Sequence, residues 1–175
     1  MKRLVLTAAC AALLVACSPQ KPAAPAGKLN TDALPMAEFM GHVVDPAAFQ
    51  YWRGSGTEIT AEGEKDLSPT TEEGWVQLEN GAAILIEAGN LLQMDGRRRA
   101  PEADWDRYAQ QLTERAIAAK AAAEKHDKQA VFDEGGRVYE VCTACHKQFI
   151  IDPELAANGP AKGDPLPALP ADKKR

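Results

Sequence analysis

The chain has 175 residues, of which 45% are hydrophobic, and carries 25 acidic against 20 basic side chains for a net charge of −5. That length allows one domain with a sizeable core, and no internal repeat divides it. The acidic balance sets nucleic acid aside as a partner, because binding to phosphate backbones draws on a basic surface.

In chain order, the first feature is an export signal. Met1-Lys2-Arg3 is basic, and Leu4 to Ala16 is an apolar run too short to span a bilayer but suited to a secretory leader, residues 1–16. It ends in Leu14-Val15-Ala16-Cys17, which resembles the bacterial lipobox. That resemblance implies cleavage before Cys17 and a lipid on its thiol, so the chain would touch the membrane through a lipid anchor only. An ordinary signal peptide cut nearby is the alternative. Ser18 rather than Asp after the cysteine points to the periplasmic face of the outer membrane. Loss of Lys2 and Arg3 with the leader would move the net charge from −5 to about −7. Residues 17–33 form the lipidated cysteine and a flexible tether, since 18–28 hold three prolines and no large apolar side chain.

Residues 34–151 read as four helices. The first spans about Leu34 to Trp52, with Met36, Phe39, Met40, Val43 and Val44 at three- and four-residue spacing, and Pro46 is expected to bend or interrupt it. Residues 54–70 read as a loop with a short helical turn between Glu58 and Leu67. The second helix opens at Thr70 or Thr71, where Thr70 and Glu73 resemble a capping box, and runs to Met94 through Trp75, Leu78, Ala82, Leu85 and Leu92. Arg97-Arg98-Arg99 reads as a solvated connector, with a docking patch or a contact to a cofactor carboxylate as alternatives. The third helix runs from near Glu102 to Lys125 with Trp105, Tyr108, Leu112, Ala116, Ala119 and Ala123 on one face. The fourth begins near Asp127 and carries Val131, Val138, Cys142, Cys145 and Phe149. Gly135-Gly136 within it predicts close approach of a neighbouring helix or a bound group. Residues 152–175 read as a Pro-rich flexible tail.

The last predicted helix ends in Cys142-Thr143-Ala144-Cys145-His146, the Cys-x-x-Cys-His pattern of covalent haem attachment. Thiols three positions apart face the same way over one helical turn, so each can add to one vinyl group of a single porphyrin, and the adjoining imidazole reaches the iron. A structural zinc site needs further ligands, and only His42 and His126 remain outside the motif. A thioredoxin-like redox pair needs βαβ patterning, which is missing around residue 142. Cysteine usage closes on the haem reading. Cys10 leaves with the leader, Cys17 takes lipid, Cys142 and Cys145 take haem c, and no thiol remains for a disulfide.

Four helices with Cys-x-x-Cys-His near the end of the last resemble the cytochrome c′ superfamily over residues 34–150, most closely from Tyr139 to Phe149. The stretch Met40 to Ala48, with Trp52 downstream, is similar to the first helix of a subgroup. The resemblance implies an all-α, antiparallel up-and-down four-helix bundle with one covalently bound haem, His146 as proximal iron ligand and a first-helix side chain on the distal face. Met40 is the expected distal ligand and Met36 the alternative. His42, two residues from Met40, should face elsewhere and be solvated, and His126 should be a surface or capping residue.

Methionine ligation implies a six-coordinate electron carrier, whereas an apolar distal residue implies a five-coordinate protein that binds NO or CO. The leading expectation is therefore electron transfer, not enzymatic turnover, with periplasmic or membrane redox proteins as partners. Gas binding and a haem-free metal-binding lipoprotein are the other two. Relatives in the superfamily often dimerise through their first two helices, which would make a homodimer here.

Overall fold

The computed structural model describes residues 30, 31 and 33–159. The leader (1–16), Cys17, almost all of the tether (17–33) and the Pro-rich end from residue 160 lie outside the described residues. What is described is mostly helical. There are four long helices, α1 (residues 36–52), α2 (Glu72–Leu92), α3 (Glu102–Glu124) and α4 (residues 128–158), and one hairpin, β1 (Thr57–Thr60) and β2 (Gly63–Asp66).

Each helix packs on the next in sequence, and α1 also meets α4. The contacts run in opposite directions along every pair. On α1 and α2, Gln50 bonds Gln77, and a Cβ at Gly81 would lie 2.7 Å from the Ala47 carbonyl. On α2 and α3, the Trp105 indole N–H donates to the Leu92 carbonyl and the Thr113 hydroxyl to that of Ile86. On α3 and α4, Trp105 packs on Phe149, while the short turn after Glu124 joins the other ends. Short connections between antiparallel neighbours are the economical way to stack amphipathic helices. The core they share includes Phe39, Tyr51, Leu85, Leu112, Val131 and Val138, with alanines filling the inner face of α3. Each large side chain in that list contributes about 1.5–3 kcal/mol by leaving water.

Pro46 does not end α1. The helix widens into a π turn at Met40–Val44, where the Asp45 N–H bonds the Met40 carbonyl, and resumes at Asp45–Trp52. A proline removes one helical donor and crowds the carbonyl four residues back, and the wider turn accommodates both. The same device recurs at the other end of the chain. A π turn at Lys147–Ile151, closed by the Asp152 N–H on the Lys147 carbonyl, precedes Asp152-Pro153, and α4 continues as Asp152–Asn158. Residues 152–158, expected in a loose tail, are therefore helical.

The expected loop with a helical turn at Glu58–Leu67 is instead the β1–β2 hairpin, with Thr57 opposite Asp66 and Thr60 opposite Gly63. Thr and Ile suit an extended backbone, Gly63 adopts φ +130°, and no apolar face exists there to hold a helix. Lys128 at the start of α4 pins the hairpin through Asp66 at 2.6 Å. That bond, with others from Ser68, holds the Asp66 carboxyl well below the usual carboxylate range.

The helix ends follow local chemistry. Thr71, not Thr70, caps α2, its Oγ1 accepting the Gly74 N–H at 3.2 Å. Asp127 caps α4 by accepting the Ala130 N–H at 3.0 Å. His126 terminates α3 in the left-handed region (φ +53°), its N–H on the Ala123 carbonyl and the next N–H on that of Ala122. Its imidazole stacks on Trp75 with ring centres 4.7 Å apart.

Candidate functional site

The seam between α1 and α4 gathers most of the residues singled out by the sequence. At one end the helices touch. The Trp52 indole N–H donates to the Gly135 carbonyl at 2.9 Å, and a Cβ at Gly135 would sit 3.2 Å from the Trp52 ring. Gly135 thus has the expected helix approach, whereas Gly136 faces open space. Towards the other end lies an apolar cavity of about 50 Å³, walled by Met40 and Val44 of α1, Leu92 of α2, Trp105, Tyr108 and Leu112 of α3, and Val141, Cys142, Cys145 and His146 of α4. A groove of about 390 Å³ opens alongside it, lined by Met40, Val44, Phe49, Trp52, Tyr139, Cys142 and His146 among others. Met40, Val44, Cys142 and His146 line both, so cavity and groove form one cleft.

Met36 lines a different pocket, beside the connector between α2 and α3. Only one of the two first-helix methionines therefore faces the cysteines. His42 is exposed and meets Glu38 at 3.0 Å on the outer face of α1. His126 is at the far end of the bundle with Trp75 and Glu72. Neither joins the cleft. Of the three tryptophans, Trp105 and Trp52 line it and Trp75 does not.

The motif is held from α3. Phe149 meets Trp105 edge-on at 5.1 Å and Tyr108 at 6.3 Å, and the Gln148 amide donates to Asp104 at 2.8 Å. That amide first, then Arg107, lowers the Asp104 carboxyl. These contacts fix the rotation of α4 just beyond His146, which sets the direction in which Cys142, Cys145 and His146 point.

Both thiols are half-buried. Burial first, then the neighbouring Cys145, pushes the Cys142 thiol up to about 11. Burial also raises Cys145, opposed by Arg107. Both are neutral at pH 7, the reverse of the lowered values that mark a redox dithiol or an activated nucleophile. Among the described residues no group of three or more His, Cys, Asp or Glu side chains converges as a metal site would require, so a four-ligand zinc site is not assembled.

The set fits a haem of the c type: two thiols one turn apart, an adjacent imidazole, a thioether on the facing helix and apolar walls. The enclosed part holds no more than about one or two waters. A flat macrocycle would take cavity and groove together, with α1 and α4 parted along the seam.

Sequence reasoning missed Phe49, Val141 and Gln148. Phe49 is 44% exposed beside the groove, and Tyr139 across from it is 58% exposed. Both sit on faces that periodicity assigns to solvent, so only the three-dimensional seam brings them to the site. No family model matches the chain, and no match emerges among curated proteins or solved structures. No helix among the described residues is long and apolar enough to cross a membrane.

Proposed function

We propose that this chain is a membrane-tethered c-type cytochrome of the cytochrome c′ kind, passing single electrons between periplasmic or membrane redox proteins. One haem c is bonded through Cys142 and Cys145, with His146 as proximal ligand and Met40 as distal ligand. A lipid on Cys17 holds the domain at the periplasmic face, in keeping with the lipobox-like leader. The observation that carries the reading is that Met40, Val44, Cys142 and His146 line both parts of one apolar cleft, while Met36 lines another pocket. Haem held there supplies one-electron chemistry, and a thioether ligand favours its ferrous state. Cys142 and Cys145 would hold the group covalently, His146 and Met40 would offer its iron an imidazole and a thioether, and Leu92, Trp105 and Leu112 would keep water from it.

Axial ligation is tested by visible spectroscopy and carbon monoxide binding. Wild-type protein is expected to be low-spin and to take up CO slowly, because the thioether must leave first. Met40→Ala is expected to be high-spin, with fast CO uptake and a lower potential, and Met36→Ala close to wild type. A wild type that is already high-spin and binds CO quickly would remove Met40 from the iron and make gas binding the function.

A further inference from the structure

At the α1 end of the bundle, outside the cleft, the connector between α2 and α3 folds against the segment that enters α1. Together they enclose a pocket of about 330 Å³ lined by Thr31, Leu34, Pro35, Met36, Gly96 and the three arginines 97–99. Gly96 makes this approach feasible. Its φ is +87°, and a Cβ there would meet the Thr31 hydroxyl at 2.9 Å.

The three arginines are not equivalent. Arg98 is committed, bonding Asp95 at 3.0 Å and Asp106 at 2.8 Å. Arg99 is exposed and makes no ion pair among the described residues. The Arg97 guanidinium lies over the Phe39 ring, 4.3 Å from its centre, and its Nε and Nη1 are buried with no hydrogen-bond partner among the described residues. The ring face attracts the cation but cannot accept those in-plane N–H groups. Buried charged donors without an acceptor are costly, and a wall of guanidinium and hydroxyl donors is complementary to a group with several anionic oxygens.

We propose that this pocket is an oxyanion site that takes a phosphate group, with the half-buried Arg97 as its anchor and Arg99 and Thr31 beside it. The phosphate has two sources, a free anion or the headgroup of a lipid. The second is within reach because Thr31 lies only fourteen residues after Cys17. The site does not depend on haem, and its test uses no haem signal.

The full chain, as isolated, is titrated with inorganic phosphate at constant ionic strength and followed by calorimetry and thermal midpoint, with chloride as control. One saturable site is expected. Arg97→Met keeps an apolar stem on Phe39 and should weaken it at least ~10-fold, Arg99→Gln about 3-fold, and Arg115→Gln on the distant face of α3 not at all. In a second arm, Cys17→Ser protein is mixed with phosphatidylglycerol or phosphatidylcholine vesicles. Phosphatidylglycerol binding that requires Arg97 assigns the phosphate to a lipid, and binding of inorganic phosphate alone assigns it to a free anion. No saturable phosphate binding by wild type overturns the proposal, as does equal binding by Arg97→Met and Arg99→Gln. If Arg97→Met does not fold, Arg99→Gln and Thr31→Val decide the matter by the same loss.

Discussion

Tyr51 and Met40 sit three helical turns apart on α1 and do different work. Tyr51 is 1% exposed, and its hydroxyl donates to the Ala119 carbonyl at 3.0 Å, tying α1 to α3 across the core. Tyr51→Phe is expected to cost about 1 kcal/mol in urea denaturation at pH 7. Burial first, then Glu134, raises the phenol well above its ordinary value. The unfolded tyrosine ionises near pH 10 while the folded one stays protonated, so its contribution is intact below about pH 10 and is lost as pH rises further. Denaturation curves from pH 7 to 11 should therefore show a steeper alkaline loss in wild type than in Tyr51→Phe. Equal slopes would mean that Tyr51 is not the group responsible. Met40 occupies the first position of the π turn and opens the stretch Met40 to Ala48 that resembles a family first helix. Preference for Met40 over Met36 rested on that resemblance, since spacing alone does not separate the two. Met36 and Met40 are one turn apart on the same apolar stripe, and only packing against α2 and α4 separates them.

At the scale of elements, the four helices were readable because apolar residues recur at three and four positions, and Thr71 and Asp127 mark two of the starts. The hairpin was not readable, since residues 57–66 are exposed on both faces and carry no period at all. The first helix was read across Pro46 with a bend or interruption, but the continuation of α4 through Pro153 was hidden: proline argues for a break, and a π turn is written in no single residue. The paired glycines of α4 give a sharp test of the seam. Gly135→Val should lose about 1–3 kcal/mol, because the side chain would press on Tyr51 and Trp52. Gly136→Ala should gain up to about 1 kcal/mol, since it meets nothing and favours the helix. Thermal unfolding of the two variants distinguishes them by sign. The hairpin offers a local counterpart. Lys128→Ala should speed amide exchange across residues 57–67 while leaving the global midpoint near that of wild type, because exposed ion pairs add little to overall stability.

The molecule as a whole is an acidic chain folded into a helical bundle, with one apolar cleft that opens to solvent beside Phe49 and Tyr139. The cleft lies along the seam of α1 and α4, which meet closely near Trp52 and Gly135. The motif at residues 142–146 pointed to one wall of that cleft, but the walls come from all four helices and could not be read from any one. Anchoring through lipid predicts that Cys17→Ser moves the protein from the detergent-extracted membrane fraction to a soluble or unprocessed form, while wild type found in the soluble periplasm would remove the anchor. Covalent haem is read out by the intact mass of denatured protein matured in cells with a c-type haem assembly system. The expected mass is the polypeptide plus one haem, reduced to the bare polypeptide in the Cys142→Ser, Cys145→Ser double variant. A wild-type mass without haem, or haem retained covalently by the double variant, would contradict it.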